Sequence, residues 1–320
     1  MTVPKALLIY EPDSLTHVRT YAAAVAKAQP GLNVVATSDR NEALAAAPAT
    51  TAIVAKAQDV LPELVARMPA LDWIQALTTG IDPLLALKLP PSVTVTTTRG
   101  MHGPQMAELA FLLMLSLSRN APQIFANQRE AKWKRWGQHL LLGKTVAIVG
   151  VGSISEALAL RCQAFGLRVL GITSRESAQG FDELHPRSRL HEVVGRADFV
   201  IVLVPYTPDT HHLIDASVLG AMKKSAFLIN IARGNVVDEP ALIEALKART
   251  IAGAGLDVFS VEPLPSMSAL WGLDNVIVTP HIGGLSDIYA EQAVPVLLEN
   301  LAAYLAGQPT AMQNRVELKR

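Results

Sequence analysis

The chain has a single cysteine, Cys162, among its 320 residues. Without a second thiol no internal disulfide can form, which excludes the small secreted domains that depend on disulfides. Clusters of cysteine and histidine with zinc-ligand spacing are also missing. His185 and His191 have no such partners in the sequence, so we expect no metal site. His211 and His212 are expected to be a solvated pair.

An excess of one charge and a long apolar run are missing too. The 28 basic residues balance the 28 acidic ones, which argues against nucleic acid or an anionic membrane as the main partner. The apolar helical stretch MAELAFLLMLSLS is too short to cross a bilayer and contains Glu108. The N-terminal segment lacks the apolar length and cleavage site of a signal peptide. We therefore expect a soluble, cytoplasmic protein.

Two series of alternating strand and helix patterns fill the chain. Half of the residues are apolar, which suffices for two cores. Strands that alternate with helices predict α/β domains with doubly wound parallel sheets, similar to Rossmann domains. A cluster of proline and glycine marks a break near residues 98–103. The strand patterns are KALLIY, NVVATS, TAIVAK, DWIQAL and VTVTTT before the break, and TVAIVG, LRVLGI, DFVIVLV, AFLINI, IAGAGLDV and NVIVTP after it.

The first strand of the second series leads into a glycine turn. Gly150 permits a tight turn and Gly152 permits close approach of a pyrophosphate, as in dinucleotide-binding domains. The backbone N–H groups of Ser153 and Ile154, at the start of the next helix, are suited to bind phosphate. Ser155 replaces the third glycine of the pattern, so we expect slightly looser packing of helix on strand.

The residues after the second strand of this series predict which cofactor is bound. NAD-preferring domains place an acid there, which accepts hydrogen bonds from the ribose hydroxyls and repels a 2′-phosphate. This chain has Thr173, Ser174 and Arg175 instead. Two hydroxyls and a guanidinium predict a preference for NADP(H), with NAD(H) as the alternative. Glu176 follows directly and is expected to blunt this attraction.

Three later segments place polar side chains directly after predicted strands. Arg233 follows the strand in LINIARG, Asp257 and Glu262 lie in GLDVFSVEP, and His281 lies in TPHIGG. Doubly wound sheets bind ligands at the carboxyl ends of their strands. A guanidinium, a carboxylate and an imidazole beside a nicotinamide form a suitable site for hydride transfer.

These segments resemble the D-isomer-specific 2-hydroxyacid dehydrogenase family, over essentially the whole chain and most strongly over residues 140–285. The resemblance implies that Arg233, Glu262 and His281 are the catalytic residues. Protonated His281 donates to the 2-oxo oxygen as a general acid, and Glu262 orients the ring and favours the imidazolium. Arg233 binds the substrate carboxylate, the carbonyl oxygen, or both.

The same resemblance implies a substrate domain from residues 1–98 plus 288–320, a nucleotide-binding domain over 99–287, and a homodimer joined through the nucleotide-binding domains. The amides near Thr79 and Gly80 are expected to hold the substrate carboxylate. Further cofactor-binding positions are expected at Val204, Pro205, Thr210, Ile231, Ala232, Arg233, Asp257, His281 and Gly283, with Asp257 on the nicotinamide carboxamide.

The sequence leaves the role of two tryptophans open. Trp133 and Trp136 fall where some relatives send a loop toward the active site, and a core or interface role is the alternative.

The sequence therefore predicts a dehydrogenase or reductase of a small 2-oxo or 2-hydroxy acid, such as glyoxylate or hydroxypyruvate. Two alternatives remain. Formate dehydrogenases resemble this family but have glutamine where Glu262 stands, which argues against them. A non-catalytic interaction protein of the same fold that senses dinucleotide can keep the same three residues, so these residues do not exclude it.

Overall fold

A computed structural model describes residues 4–317 of the chain. The chain divides into two compact units, one from the residues up to Met101 together with those from Ser286 onward, and one from His102–Leu285. The boundaries expected from the sequence, after residue 98 and before residue 288, lie within three residues of these divisions.

The first unit contains a five-stranded parallel sheet in the order β2-β1-β3-β4-β5. Neighbouring residues of β1 point to opposite faces: Leu8 packs in one core cluster and Leu7 in another. Buried on both faces, these strands read as nearly continuous apolar runs, as is typical of parallel sheets. The elements are β1 (Ala6–Tyr10), α1 (Leu15–Ala28), β2 (Asn33–Thr37), α2 (Arg40–Ala46), β3 (Ala52–Ala55), α3 (Pro62–Ala66), β4 (Trp73–Ala76), α4 (Asp82–Leu85) and β5 (Thr94–Thr97).

The second unit contains a seven-stranded parallel sheet. The elements are α5 (Gly103–Ser118), α6 (Ala121–Arg129), β6 (Thr145–Val149), α7 (Ser153–Ala164), β7 (Arg168–Ile172), β8 (Glu183–His185), α8 (Leu190–Arg196), β9 (Phe199–Val202), α9 (Ala216–Ala221), β10 (Phe227–Asn230), α10 (Glu239–Lys247), β11 (Gly253–Leu256) and β12 (Val276–Val278). The strand order is β12-β11-β10-β9-β6-β7-β8. The chain then ends in α11 (Tyr289–Leu305), which packs on α1 in the first unit.

Helices cover both faces of the larger sheet. Side chains of α5 and α7 share a core cluster with Val146 and Ile148 of β6, whereas those of α8, α9 and α10 share one with Ala147 and Val149. The predicted fold class, two doubly wound parallel sheets, is therefore confirmed.

The sequence patterns missed one strand of this sheet, β8. It is only three residues long and includes Glu183 and His185, so it carries no apolar run. It pairs with β7 at the edge of the sheet, where polar residues are tolerated.

The helices within residues 4–317 are short or mixed in polarity. No single helix there is long and apolar enough to cross a bilayer; α5 and α6 reach that length and composition only as a pair, bent by 67°.

Candidate active site

The candidate site is built on the carboxyl ends of β10, β11 and β12. These strands are consecutive and parallel in the sheet, so the loops that follow them start side by side. The loop after β10 carries Arg233, the loop after β11 carries Glu262, and the loop after β12 carries His281. The topology thus brings three residues together that are up to 48 positions apart in the sequence.

His281 and Glu262 form the central pair of the site. The Nδ1 of His281 lies 2.6 Å from Oε2 of Glu262, and both side chains remain partly exposed. The hydrogen bond to Glu262 raises the pKa of His281 above its usual value, although burial opposes the rise. For Glu262 burial opposes ionisation, but the bonds from His281 and the Phe259 amide outweigh it, so its pKa is lowered. The pair therefore favours an imidazolium beside a carboxylate.

Arg233 lies on the loop after the neighbouring strand β10, and its positive charge lowers the pKa of both His281 and Glu262. Its loop is held by Asn230, which is buried at the end of β10. The Asn230 amide donates to the Arg233 carbonyl at 3.0 Å, and its oxygen accepts from the Ala232 N–H at 3.2 Å. The sequence analysis did not single out Asn230. The signal available in the sequence was a polar residue at the end of an apolar strand, as in FLIN.

Gly234 sets the distance between the Arg233 and Glu262 loops. A Cβ at this position would lie 1.9 Å from the backbone carbon and oxygen of Phe259. No side chain fits into that space, so the two loops approach each other closely only because residue 234 is glycine. The glycine of the NIARG segment is thereby explained by packing.

The backbone of His281 adopts a left-handed conformation, with φ of 53°. Such a conformation is strained for a residue with a Cβ and persists only where the surroundings enforce it. Asp257 does so here. Its carboxylate is buried and accepts from the Ile282 N–H at 3.0 Å, the Gly283 N–H at 2.9 Å and the Thr279 hydroxyl at 2.6 Å. Asp257 is thus an anchor for the His281 loop, a role that the sequence did not predict.

The loop that carries Glu262 is also fixed by carboxylates. The Phe259 N–H donates to Oε1 of Glu262 at 2.9 Å, so both oxygens of this carboxylate have partners. The neighbouring Ser260 N–H donates to Glu239, in the first turn of α10, at 2.9 Å. Glu239 was not among the predicted site residues.

His102, another histidine of this unit, is poorly suited to donate a proton. Burial lowers the pKa of His102 to about 4, so its ring is neutral at pH 7. His211 and His212 stack on each other with ring centroids 3.8 Å apart. Within residues 4–317 no group of three or more His, Cys, Asp or Glu residues is arranged to hold a metal ion.

The glycine turn lies at the carboxyl end of β6, next to β9 in the sheet. Gly150 has φ of +99°, and a Cβ there would lie 2.6 Å from Cγ1 and 2.8 Å from N of Val204. Gly152 is the N-cap residue of α7, so the N–H groups of Ser153 and Ile154 are at the free N-terminus of the helix. This geometry suits a pyrophosphate.

Ser155 fits into this turn better than the sequence suggested. It is buried, and its hydroxyl donates to the Gly150 carbonyl at 2.6 Å. The expected loosening was wrong, because the hydroxyl ties α7 to the turn instead of pushing it away.

The remaining expected cofactor positions lie on loops of the same sheet edge. Val204 and Pro205 follow β9, and the Thr210 hydroxyl donates to the Pro205 carbonyl at 2.8 Å. Ile231 and Ala232 follow β10 and are buried.

Arg175 lies in the exposed loop after β7, with Thr173 and Ser174 before it. The Thr173 hydroxyl accepts from the Arg175 N–H at 3.1 Å. The guanidinium is not free: its Nη2 lies 3.0 Å from Oε1 of Glu156 in the first turn of α7. The expectation that Glu176 blunts the attraction for a phosphate stays a prediction, whereas the ion pair of Arg175 with Glu156 was not predicted from the sequence.

The first unit carries the two expected substrate-binding residues. Thr79 and Gly80 lie in the loop after β4, where the Thr78 hydroxyl donates to the Gly80 carbonyl at 2.7 Å. Thr79 is exposed.

The family profile described as "D-isomer specific 2-hydroxyacid dehydrogenase, NAD binding domain" matches residues 111–283. Glyoxylate reductase from Pyrococcus horikoshii is 38% identical over 238 residues, which cover 71% of this chain and 71% of that protein. This chain belongs to the D-isomer specific 2-hydroxyacid dehydrogenase family.

Solved structures agree with that assignment. A D-isomer specific 2-hydroxyacid dehydrogenase family protein from Aeromonas salmonicida matches with a TM-score of 0.90 and 31% identity, over 98% of this chain and 99% of that chain. The NADPH-dependent glyoxylate/hydroxypyruvate reductase of Sinorhizobium meliloti, solved with NADP and sulfate, matches with a TM-score of 0.83 and 26% identity, over 98% and 99%. As a 2-hydroxyacid dehydrogenase, the protein is an oxidoreductase that uses a nicotinamide cofactor.

Proposed function

We propose that this dehydrogenase is an NADPH-preferring reductase of a small 2-oxo acid such as glyoxylate or hydroxypyruvate, with Arg233, Glu262 and His281 as its catalytic residues. The observation that carries the proposal is the 2.6 Å pairing of His281 Nδ1 with Glu262 beside the Arg233 guanidinium. The named substrates of similar proteins, glyoxylate and hydroxypyruvate, support the choice of substrate.

Each of the three side chains has a separate chemical task. Glu262 holds Nδ1 and favours the imidazolium, which leaves Nε2 of His281 to donate a proton to the substrate oxygen as negative charge grows there. The planar fork of Arg233 binds the substrate carboxylate or its carbonyl oxygen. The amides of Thr79 and Gly80 bind the carboxylate as well. The nicotinamide, when bound, supplies the hydride for the 2-oxo carbon.

The cofactor is held mostly by backbone groups. We assign the pyrophosphate to the N–H groups of Ser153 and Ile154, because α7 begins there with free N–H groups and no Cβ at Gly152 stands in front of them. The positions expected along the rest of the cofactor are Thr173, Ser174, Val204, Pro205, Thr210, Ile231, Ala232, Asp257 and Gly283.

Arg175 is assigned to the ribose 2′-phosphate, which makes NADP(H) the preferred cofactor and NAD(H) the weaker one. A charge-assisted hydrogen bond of about 1.5–3 kcal/mol corresponds to a preference of roughly ten- to hundredfold. Arg175→Ala should therefore weaken NADPH binding selectively and leave NADH nearly unchanged. Titration of both cofactors against parent and variant checks this. Equal losses for the two, or a parent that binds NADH more tightly, would show that Arg175 does not read the phosphate.

The activity itself is tested with the purified protein, each reduced cofactor and a panel of 2-oxo acids that includes glyoxylate, hydroxypyruvate and pyruvate. We expect oxidation of NADPH that depends on the 2-oxo acid and is faster with the smaller acids. A protein that only senses dinucleotide would bind NADPH without this oxidation. A formate-type enzyme would instead reduce NADP⁺ with formate, an outcome that the carboxylate of Glu262 disfavours.

We also propose a homodimer joined through the second unit. After α6 the chain has no regular secondary structure until β6, and this segment exposes apolar side chains to solvent. Trp133 is 91% exposed and Leu142 is 68% exposed, while Trp136 is half-buried. Phe125 of α6 is exposed as well, and several exposed apolar side chains in one part of the sequence support the proposal of an interaction surface. The second copy that the family resemblance implies would cover it.

Sedimentation of the parent and of Trp133→Ser tests the dimer. The parent should sediment as a dimer and the variant should dissociate at a higher protein concentration. Trp271→Ser is the matched control, because Trp271 is also an exposed tryptophan of this unit but lies outside the segment. A monomeric parent, or equal dissociation of both variants, would reject this interface.

A further inference from the structure

Glu156 links the two elements to which the cofactor is assigned. It lies in the first turn of α7, directly after the glycine turn, and its Oε1 is 3.0 Å from Nη2 of Arg175 in the loop after β7. The same oxygen accepts a longer hydrogen bond, 3.4 Å, from the Gln179 N–H. The carboxylate therefore bridges α7 and the β7 loop at the position where the adenosine ribose is expected.

Within the described part of the chain Arg175 forms its ion pair with this one carboxylate. Glu176 is adjacent in sequence and exposed, and it takes part in no ion pair there. Since a guanidinium keeps its charge in proteins, the pair is neutral overall when Glu156 is ionised. A 2′-phosphate that binds Arg175 therefore has to compete with the Glu156 carboxylate for the guanidinium.

We propose that Glu156 is a cofactor-specificity residue: its carboxylate competes with the 2′-phosphate for Arg175 and so limits the preference for NADPH over NADH. The proposal rests on the proposed function, in which Arg175 binds that phosphate. It adds the residue that sets how strong the preference is.

The geometry supports competition for two reasons. The side chains of Arg175 and Glu156 are 46% and 26% exposed, and an ion pair so open to solvent contributes little and is readily exchanged for another partner. The backbone of Glu156 stays in place after the exchange, because it belongs to the first turn of α7. There its N–H donates to the Gly152 carbonyl at 2.9 Å. Its charge then lies near a phosphate of about −1.5 to −2 charge, whereas NADH presents a neutral hydroxyl there.

The test is Glu156→Gln, which keeps the size of the side chain and removes its charge. Loss of a partly exposed competing pair predicts NADPH binding tighter by about two- to fivefold, with the NADH affinity unchanged. The gain should shrink as salt is added, because exposed charges are screened. The fragments 2′,5′-ADP and 5′-AMP should show the same contrast. Thermal unfolding of the variant confirms that the fold is intact.

Glu176→Gln is the matched control, since it removes an equal charge next to Arg175 without removing an ion pair. It should shift the NADPH affinity by less than about twofold. An equal gain in both variants would mean that only the general charge of the loop matters, and the proposal would be wrong. Weaker NADPH binding in Glu156→Gln would overturn it as well, because Glu156 would then position Arg175 for the phosphate.

Arg175→Ala separates this proposal from the one on which it rests. If that variant loses NADPH affinity selectively while Glu156→Gln gains none, only the role of Glu156 fails. If Arg175→Ala leaves the cofactor preference unchanged, the assignment of the phosphate fails, and the competition fails with it. In an Arg175→Ala background, Glu156→Gln should yield a smaller gain than in the parent, because the competed cation is gone.

Discussion

Replacing Glu262 with glutamine isolates the charge that supports the imidazolium of His281. The glutamine side chain keeps one oxygen that can accept from Nδ1 and so orient the ring, while its NH2 group replaces the oxygen that accepts from the Phe259 N–H. The hydrogen bond to Glu262 is the largest cause of the raised pKa of His281, so the substitution should lower that pKa. The two side chains are 47% and 34% exposed, so solvent screens part of this effect. A lower pKa leaves a smaller imidazolium fraction at every pH above it.

The assay is the pH dependence of kcat/KM for reduction of the 2-oxo acid. Reduction needs the imidazolium, so the rate falls as the pH rises through the pKa of His281, and a lowered pKa moves this fall to more acidic pH. Glu262→Gln should lose about fivefold on the alkaline side, because a charge-assisted hydrogen bond is about 1 kcal/mol stronger than the neutral bond that replaces it, and little on the acidic side. In the oxidation direction the neutral ring is required, so the rise in rate should also move to more acidic pH.

Glu239→Gln is the matched control for this experiment. It removes a nearby carboxylate that accepts from the Ser260 N–H and does not contact the imidazole. Its pH profile should keep the position of the parent profile. An unmoved profile in Glu262→Gln, or equal shifts in both variants, would refute the pairing as the source of the raised pKa.

Two further substitutions probe the Arg233 loop. Arg233→Lys keeps the charge but loses the planar fork, so we expect KM to rise and kcat to fall together; a change in thermal stability alone would make Arg233 a structural residue. Gly234→Ala places a Cβ 1.9 Å from the Phe259 backbone, which should cost at least about 1–3 kcal/mol of unfolding free energy and lower turnover as the loops move apart. Gly220→Ala is the control, since a Cβ there meets no atom within 4 Å; equal effects of both changes would contradict the packing argument.

Much of this fold could be predicted from the sequence, because parallel strands buried on both faces appear as apolar runs. β1, β3 and β6 are such strands, and the predicted runs contain all of them. β8 could not be found in this way, since Glu183 and His185 occupy two of its three positions. Its existence depends on pairing with β7, which is a property of the assembled sheet.

The candidate site was also predicted only in part. Arg233, Glu262 and His281 could be proposed from the motifs, but the residues that hold their loops could not. Asn230 bonds to the backbone of its own loop, and Glu239 bonds to the backbone of the loop after β11. The Glu239 contact can be inferred only when the strand order is known.

The ion-pair partner of Arg175 could not be predicted from the sequence for a related reason. Glu176 is its neighbour in sequence, but side chains of adjacent residues in an exposed loop need not meet. Glu156 reaches Arg175 because the first turn of α7 lies beside the loop after β7. The two residues are 19 positions apart in the sequence, and this spacing does not reveal the contact.

The central claim is that His281 donates the proton when a 2-oxo acid is reduced, and His281→Ala tests it most directly. The measurement is the rate of glyoxylate-dependent NADPH oxidation by parent and variant, with NADPH affinity and thermal unfolding recorded for both. The account predicts a loss of about 10²–10⁴ in turnover with affinity and unfolding close to those of the parent. A variant that folds normally and turns over within a fewfold of the parent would contradict it.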